Sequence, residues 1–261
     1  MALLERPSPK GKPVSLFVTC IVDMIYPQTG MSVVAILEHL DIEVDFPAEQ
    51  TCCGQPGFNS GYYAEAKQVA RQFLHAFKDA EVIVTPSGSC ASMVRHEYTR
   101  LFEDDETWLP LAERAASITW EFSEYLVEGL GIEDLQLALP EAQSFAFHDA
   151  CHGLRILGLG QSSRKLLGNV KNATICDLQE HDVCCGFGGL FSVKMGNVSN
   201  EMLQEKVHHI EESQAATIIT GDASCLTQMN GGLSRQNSRK RVRHLADVLA
   251  SALPGRTTDG S

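Results

Sequence analysis

Eight of the nine cysteines in this 261-residue chain fall into two copies of one pattern, and no other feature restricts its fold so tightly. The first copy is Cys20, then Cys52-Cys53-Gly54, then Cys90; the second is Cys151, then Cys184-Cys185-Gly186, then Cys225. Corresponding cysteines lie 131, 132 and 135 positions apart, so the chain is an internal duplication with small insertions. Any fold must therefore gather four thiols in each half, the number that suits one iron–sulfur cluster or one tetrahedral metal ion.

The segments around the cysteines repeat as well. In the first half a β-rich run at 14–19 ends at Cys20, a helix is expected over 31–39, and a short strand over 42–46 leads to the paired cysteines. Residues 63–79 have the period of an amphipathic helix, with Val69, Ala70, Phe73, Leu74 and Phe77 on one stripe. Val82, Ile83 and Val84 read as a strand buried on both faces, stopped by Thr85-Pro86-Ser87-Gly88 before a helix opens at Cys90. The second half follows suit, with strands over 144–147, 173–177 and 217–220, a helix through 164–167 and another carrying Leu203, Val207 and Ile210.

The expected fold class is α/β, with two tandem pseudo-symmetric domains, each a small parallel sheet flanked by helices. The expected divisions are a tail at 1–13, a first cysteine-rich domain at 14–140, a second at 141–253 and a tail at 254–261. Residues 108–130 read as one or two helices of the first half, and the basic run 235–244 as a solvated helix face that could dock an acidic partner. Cys20, Cys90, Cys151 and Cys225 each follow a strand, which places them at the carboxyl edge of a parallel sheet, where open α/β folds bind ligands.

The formal net charge of −12 argues against nucleic acid and anionic membranes as partners. No apolar run approaches the roughly 20 residues of a membrane helix. Residues 1–12 are polar and lack the apolar centre of an export signal, so a cytoplasmic, reducing setting is expected. There, cysteine patterns signal metal or redox sites rather than disulfides. Glycine directly after each pair lets the backbone turn so that both neighbours can face one site. Zinc stays open at one site on ligand type alone, although structural zinc usually takes two close cysteine pairs. Cys176 has no counterpart and reads as a core thiol, His148-Asp149 as a loop brace, and His152 and Arg155 as partners for a cluster sulfur or a substrate carboxylate, with a solvated or merely structural role the equal alternative for Arg155. Nothing resembles a flavin or nicotinamide fingerprint, so the chain alone has no evident hydride acceptor.

Thr51-Cys52-Cys53-Gly54 and Val183-Cys184-Cys185-Gly186-Phe187-Gly188-Gly189 resemble the cysteine-rich CCG domain family. That family takes in the cysteine-rich component of heterodisulfide reductase and the iron–sulfur components of glycolate and anaerobic glycerol-3-phosphate dehydrogenases. The short layout, Pro86-Ser87-Gly88-Ser89-Cys90 and His148-Asp149-Ala150-Cys151-His152 are most similar to members that serve L-lactate oxidation. The resemblance implies an oxidoreductase subunit that passes electrons from lactate oxidation to pyruvate through clusters held by Cys20, Cys52, Cys53, Cys90, Cys151, Cys184, Cys185 and Cys225. It also implies two partners, a ferredoxin-like iron–sulfur subunit and a third small subunit. The fuller family pattern ends each repeat in Cys-x-x-Cys, but Ser87 and Asp222 stand at the first of those positions. An ordinary [4Fe–4S] centre per half is therefore expected, with Asp222 a candidate oxygen ligand. The alternatives are a thiol–disulfide reductase component like that of heterodisulfide reductase, which the missing cysteines disfavour, and a zinc-stabilised scaffold.

Overall fold

The computed structural model describes residues 6–255, so residues 1–5 and 256–261 of the two expected tails lie outside the described residues. Its strands are β1 (Val14–Leu16), β2 (Val44–Asp45), β3 (Ile83–Thr85), β4 (Thr119–Glu121), β5 (Ala138–Phe147), β6 (Lys171–Ile175), β7 (Thr217–Thr220) and β8 (Arg241–His244). They form two four-stranded sheets in the orders β2-β1-β3-β4 and β6-β5-β7-β8, with every pairing parallel. The duplication read from the cysteines thus extends to the whole topology.

Local sequence explains the central strands. Ile83-Val84-Thr85 and Thr217-Ile218-Ile219-Thr220 are β-branched throughout, and helices cover both faces of their sheets, so a continuous apolar run suits them. The helix Tyr63–Ala76 buries Ala66, Ala70, Phe73 and Leu74, and Phe73 meets Phe17 edge-to-face with ring centroids 4.9 Å apart. Helix Pro27–His39 of the first half packs on helix Leu245–Ser251 of the second, where Thr29 Oγ1 donates to Asp247 Oδ2 at 2.9 Å. One apolar cluster, with Val14, Leu16 and Ile36 from one half and Phe145, Leu245 and Leu249 from the other, runs through both. Two further clusters lie behind the two cysteine sets.

Two strands depart from the sequence reading. The expected helical stretch 108–130 is interrupted by β4, which pairs with β3 between the helices Leu109–Ile118 and Phe122–Glu124. Three residues are too few to show a period of their own, and only pairing makes them a strand. The basic run is not a helix face where it counts: Arg241–His244 is β8, with Val242 and His244 inward and Arg241 outward. A single valine is a weak sign of an alternating strand when its inward companion is a histidine. β5 also starts at Ala138, ahead of the expected division at 140/141. Among the described residues no helix is long and apolar enough to cross a membrane.

Candidate metal centre

Parallel pairing carries β1, β3, β5 and β7 to one edge of each sheet, and the cysteines follow directly. Cys20 and Cys151 are the first residues of the helices Cys20–Ile25 and Cys151–Arg155. Cys90 and Cys225 sit in the first turns of Gly88–Ser92 and Ala223–Arg235. Free backbone N–H groups there favour thiolate over thiol.

The two triplets turn as their glycines suggested. Gly54 has φ 83° and Gly186 φ 85°, a left-handed conformation that only glycine adopts without strain. In each turn the glycine N–H donates back to the first cysteine of the pair, Gly54 to Cys52 Sγ and Gly186 to Cys184 Sγ, both at 3.4 Å. The second cysteine points inward. Cys53 Sγ lies 3.3 Å from Cys90 Sγ, while Cys20 and Cys52 are 3.4 Å apart. Each set therefore has two deep thiols, Cys53 and Cys90 or Cys185 and Cys225, and two half-buried ones nearer the opening.

The sequence alone did not show that both sets open into the same cleft, which is lined by all eight cysteines with Gln55, Phe187, Asp222 and His152. The halves approach closely because they meet at glycine: a Cβ on Gly88 would stand 3.0 Å from the Cα of Gly153. Ser87 and Asp222 form an antiparallel bridge across the pseudo-symmetry axis. Ser87 Oγ accepts from Cys90 N, while Asp222 Oδ1 accepts from Ser224 N and Oδ2 from Ser87 Oγ and Ser89 N. The positions where a fifth cysteine is absent thus cap the two cysteine-bearing helices.

Crowded thiols cannot all ionise on their own. Hydrogen bonds from Cys20 and Cys53, helped by Gly54 N–H, hold the Cys52 thiol far below the usual thiol range. Hydrogen bonding to Cys52, and then burial, pushes Cys20 and Cys53 up. Cys184 is likewise pulled down by Cys151 and Cys185, which are themselves pushed up. Cys225 accepts a hydrogen bond from Cys185 that favours its thiolate, yet burial pushes it up. A cation is what would let such a set ionise together. The donors fit a thiolate-bound metal: free thiols in sets of four, backbone N–H groups aimed at sulfur, and a buried acceptor-rich pocket with no disulfide among the described residues.

Other residues settle into distinct places. Asp149 ties the loop before Cys151, taking Arg164 Nη1 at 2.7 Å and His181 Nδ1 at 2.9 Å. His152 lines the cleft with Nδ1 3.5 Å from Cys151 Sγ, whereas Arg155 turns away to Asp182 O at 3.2 Å. Cys176 packs half-buried on the second-half core cluster. Three contributors escaped the sequence reading. Gln50 binds the end of β1 through Val18 N and Leu16 O, Tyr98 Oη donates to Cys53 O at 3.0 Å, and Lys206 is buried behind the second set. Gln50, two residues before a triplet, was the nearest to a readable signal.

Pseudo-symmetric α/β halves that aim two four-thiol sets into one cleft define a tandem cysteine-rich domain protein. The chain belongs to the cysteine-rich domain family CCG, which matches residues 14–95 and 145–230. Among its relatives, "Lactate utilization protein A 2" of Bacillus cereus (strain AH820) is 46% identical over 92% of this chain and 98% of its own length. "Lactate utilization protein A" of Geobacillus kaustophilus is 45% identical over 90% of this chain and 98% of its own. In three dimensions the fold is shared with a hypothetical protein from Helicobacter pylori, at a TM-score of 0.57 and 11% identity. That likeness covers 97% of this chain but 51% of the other.

Proposed function

We propose that this chain is an iron–sulfur oxidoreductase subunit of an L-lactate oxidation system, serving the conversion of lactate to pyruvate. One [4Fe–4S] cluster is assigned to Cys20, Cys52, Cys53 and Cys90, and a second to Cys151, Cys184, Cys185 and Cys225. The observation that carries the reading is the convergence of two four-thiol sets on one cleft. Such clusters, when bound, supply one-electron acceptors. The protein's part is to exclude bulk water from the deep thiols, aim Gly54 and Gly186 N–H groups at sulfur, and hold both sets at one opening.

The lactate assignment draws its support from relatives named for lactate utilization over nearly the full chain. A cytoplasmic complex with a ferredoxin-like iron–sulfur subunit and a third small subunit completes the proposal. Exposed Met24 and Ile25, on the helix that begins at Cys20, and exposed Val193 and Met195, just past the cleft-lining Gly188-Gly189, offer apolar surface for such contacts. Anaerobic purification followed by iron, sulfide and zinc analysis tests the cluster assignment, with about eight irons per chain expected. A colourless protein with stoichiometric zinc and no iron overturns it. Reduction of the clusters by L-lactate in the purified complex, and not in the chain alone, tests the substrate assignment.

A further inference from the structure

Behind the second set of thiols lies a buried group that the first set lacks. His148 directly follows β5, three residues before Cys151, and is 2% exposed. Neither Nδ1 nor Nε2 has a hydrogen-bond partner among the described residues. A wholly unpaired imidazole in a core is destabilising and requires an explanation. Three residues before Cys20 the first half has Phe17, buried edge-to-face against Phe73. Packing alone is thus satisfied by a hydrocarbon at this position. The second half also buries Lys206, whose Nζ donates to Glu180 O, on the helix after its triplet.

What His148 faces is sulfur. One ring nitrogen and the Sγ atoms of Cys185 and Cys225 all lie within 4.8 Å of one another. Neither sulfur makes a hydrogen bond to the ring, and one nitrogen with two sulfurs gathered this closely is a donor set that could hold a metal ion. We propose that His148 is a metal ligand in place of Cys151, so that the second half holds a mixed nitrogen–thiolate centre with Cys184, Cys185 and Cys225 instead of the all-thiolate set assigned above, beside an all-thiolate centre in the first. This rests on the metal–thiolate reading of the cleft. An imidazole in place of a thiolate removes negative charge from a centre and raises its potential, as in mixed histidine–cysteine iron–sulfur centres. The second centre is then the electron sink of the pair, which gives transfer within the cleft a direction.

The test uses the whole chain, purified anaerobically and grown with 14N- or 15N-histidine, and reads histidine nitrogen coupling by pulsed EPR of the reduced protein. The expected result is a coupling that changes with the label, disappears in His148→Phe and survives in His152→Ala. With iron in the second half, no histidine coupling in the wild type, or coupling that survives in His148→Phe, overturns the assignment. The wild-type and His152→Ala spectra decide the matter even if His148→Phe does not fold, because absence of coupling, or its loss in His152→Ala, also overturns it. Iron in both halves without histidine coupling defeats the His148 assignment and leaves the iron–sulfur reading standing. Zinc with a nitrogen neighbour that X-ray absorption finds in the wild type but not in His148→Phe does the reverse.

Discussion

Ser87 Oγ donates to Asp222 Oδ2 at 3.1 Å, and the two residues occupy equivalent places in the duplication, each three positions before the last cysteine of its set. The bond therefore joins the halves on their pseudo-symmetry axis. Each partner also caps the helix bearing its own cysteine, Ser87 through Cys90 N and Asp222 through Ser224 N. Where the fuller family pattern has a further cysteine in each half, this chain has a polar clasp between halves.

The clasp sets the outcome of removing the carboxylate. Asp222→Ala strips the acceptor from Ser87 Oγ, Ser89 N and Ser224 N in a buried place. Loss of a cap and of charge-assisted bonds should lower stability by about 2–4 kcal/mol. Three donors already occupy the carboxylate, so iron content and the EPR spectrum should stay as in the wild type. Denaturant unfolding with iron analysis on the anaerobic protein checks both halves of the expectation. A changed spectrum with unchanged stability would make Asp222 a ligand instead of a clasp.

Gly54 and Gly186 share a left-handed backbone but not the same surroundings. A Cβ on Gly186 would stand 2.6 Å from Ser199 O, whereas on Gly54 the nearest atom, Ala66 O, is 3.4 Å away. Gly54→Ala should therefore show mainly the conformational penalty, about 1–2 kcal/mol. Gly186→Ala adds a clash with backbone and should lose metal from the second half. Thermal unfolding and iron per chain, measured side by side, distinguish the two variants; equal effects would contradict this geometry.

The duplication, the parallel sheets and the places of the cysteines after strands were legible because each rests on local signals: a β-branched run, a turn residue, a repeated triplet. β4 and β8 were not legible. Thr119-Trp120-Glu121 is a strand only because β3 offers it a partner, and Arg241–His244 hides its alternation behind arginines. The convergence of both cysteine sets on one cleft depends on Gly88 packing against Gly153, a contact between residues far apart in sequence that no window along the chain reveals. In sequence His148 and Asp149 look like one loop brace. Asp149 alone takes that role, through Arg164 and His181, and leaves the imidazole unaccounted for by the fold.

Separate sets in one cleft should lose metal separately. Cys52→Ser and Cys184→Ser each remove a half-buried thiol from one set only. Each should lower iron to roughly half of the wild-type value and leave one EPR signal of the two. Loss of both signals in either variant would mean that a single centre spans the cleft.

Stability should also depend on pH through a group outside the cleft's thiols. Glu121, at the end of β4, is buried, and burial pushes its carboxyl up to about 7 although Ser123 Oγ, Ser123 N and Glu124 N donate to it. The folded chain therefore holds this proton more tightly than the unfolded one. The contribution is fully present below the ordinary carboxyl range near pH 4.5 and is lost as pH rises through about 7. The shift corresponds to an upper bound of about 3 kcal/mol between those limits. Glu121→Gln keeps a carbonyl acceptor for the three donors and carries no proton to lose. The difference in unfolding free energy between the wild type and Glu121→Gln, followed from pH 5 to 8 in urea, should fall steadily against the wild type. A difference that stays flat across that range would place the Glu121 carboxyl back among ordinary acids.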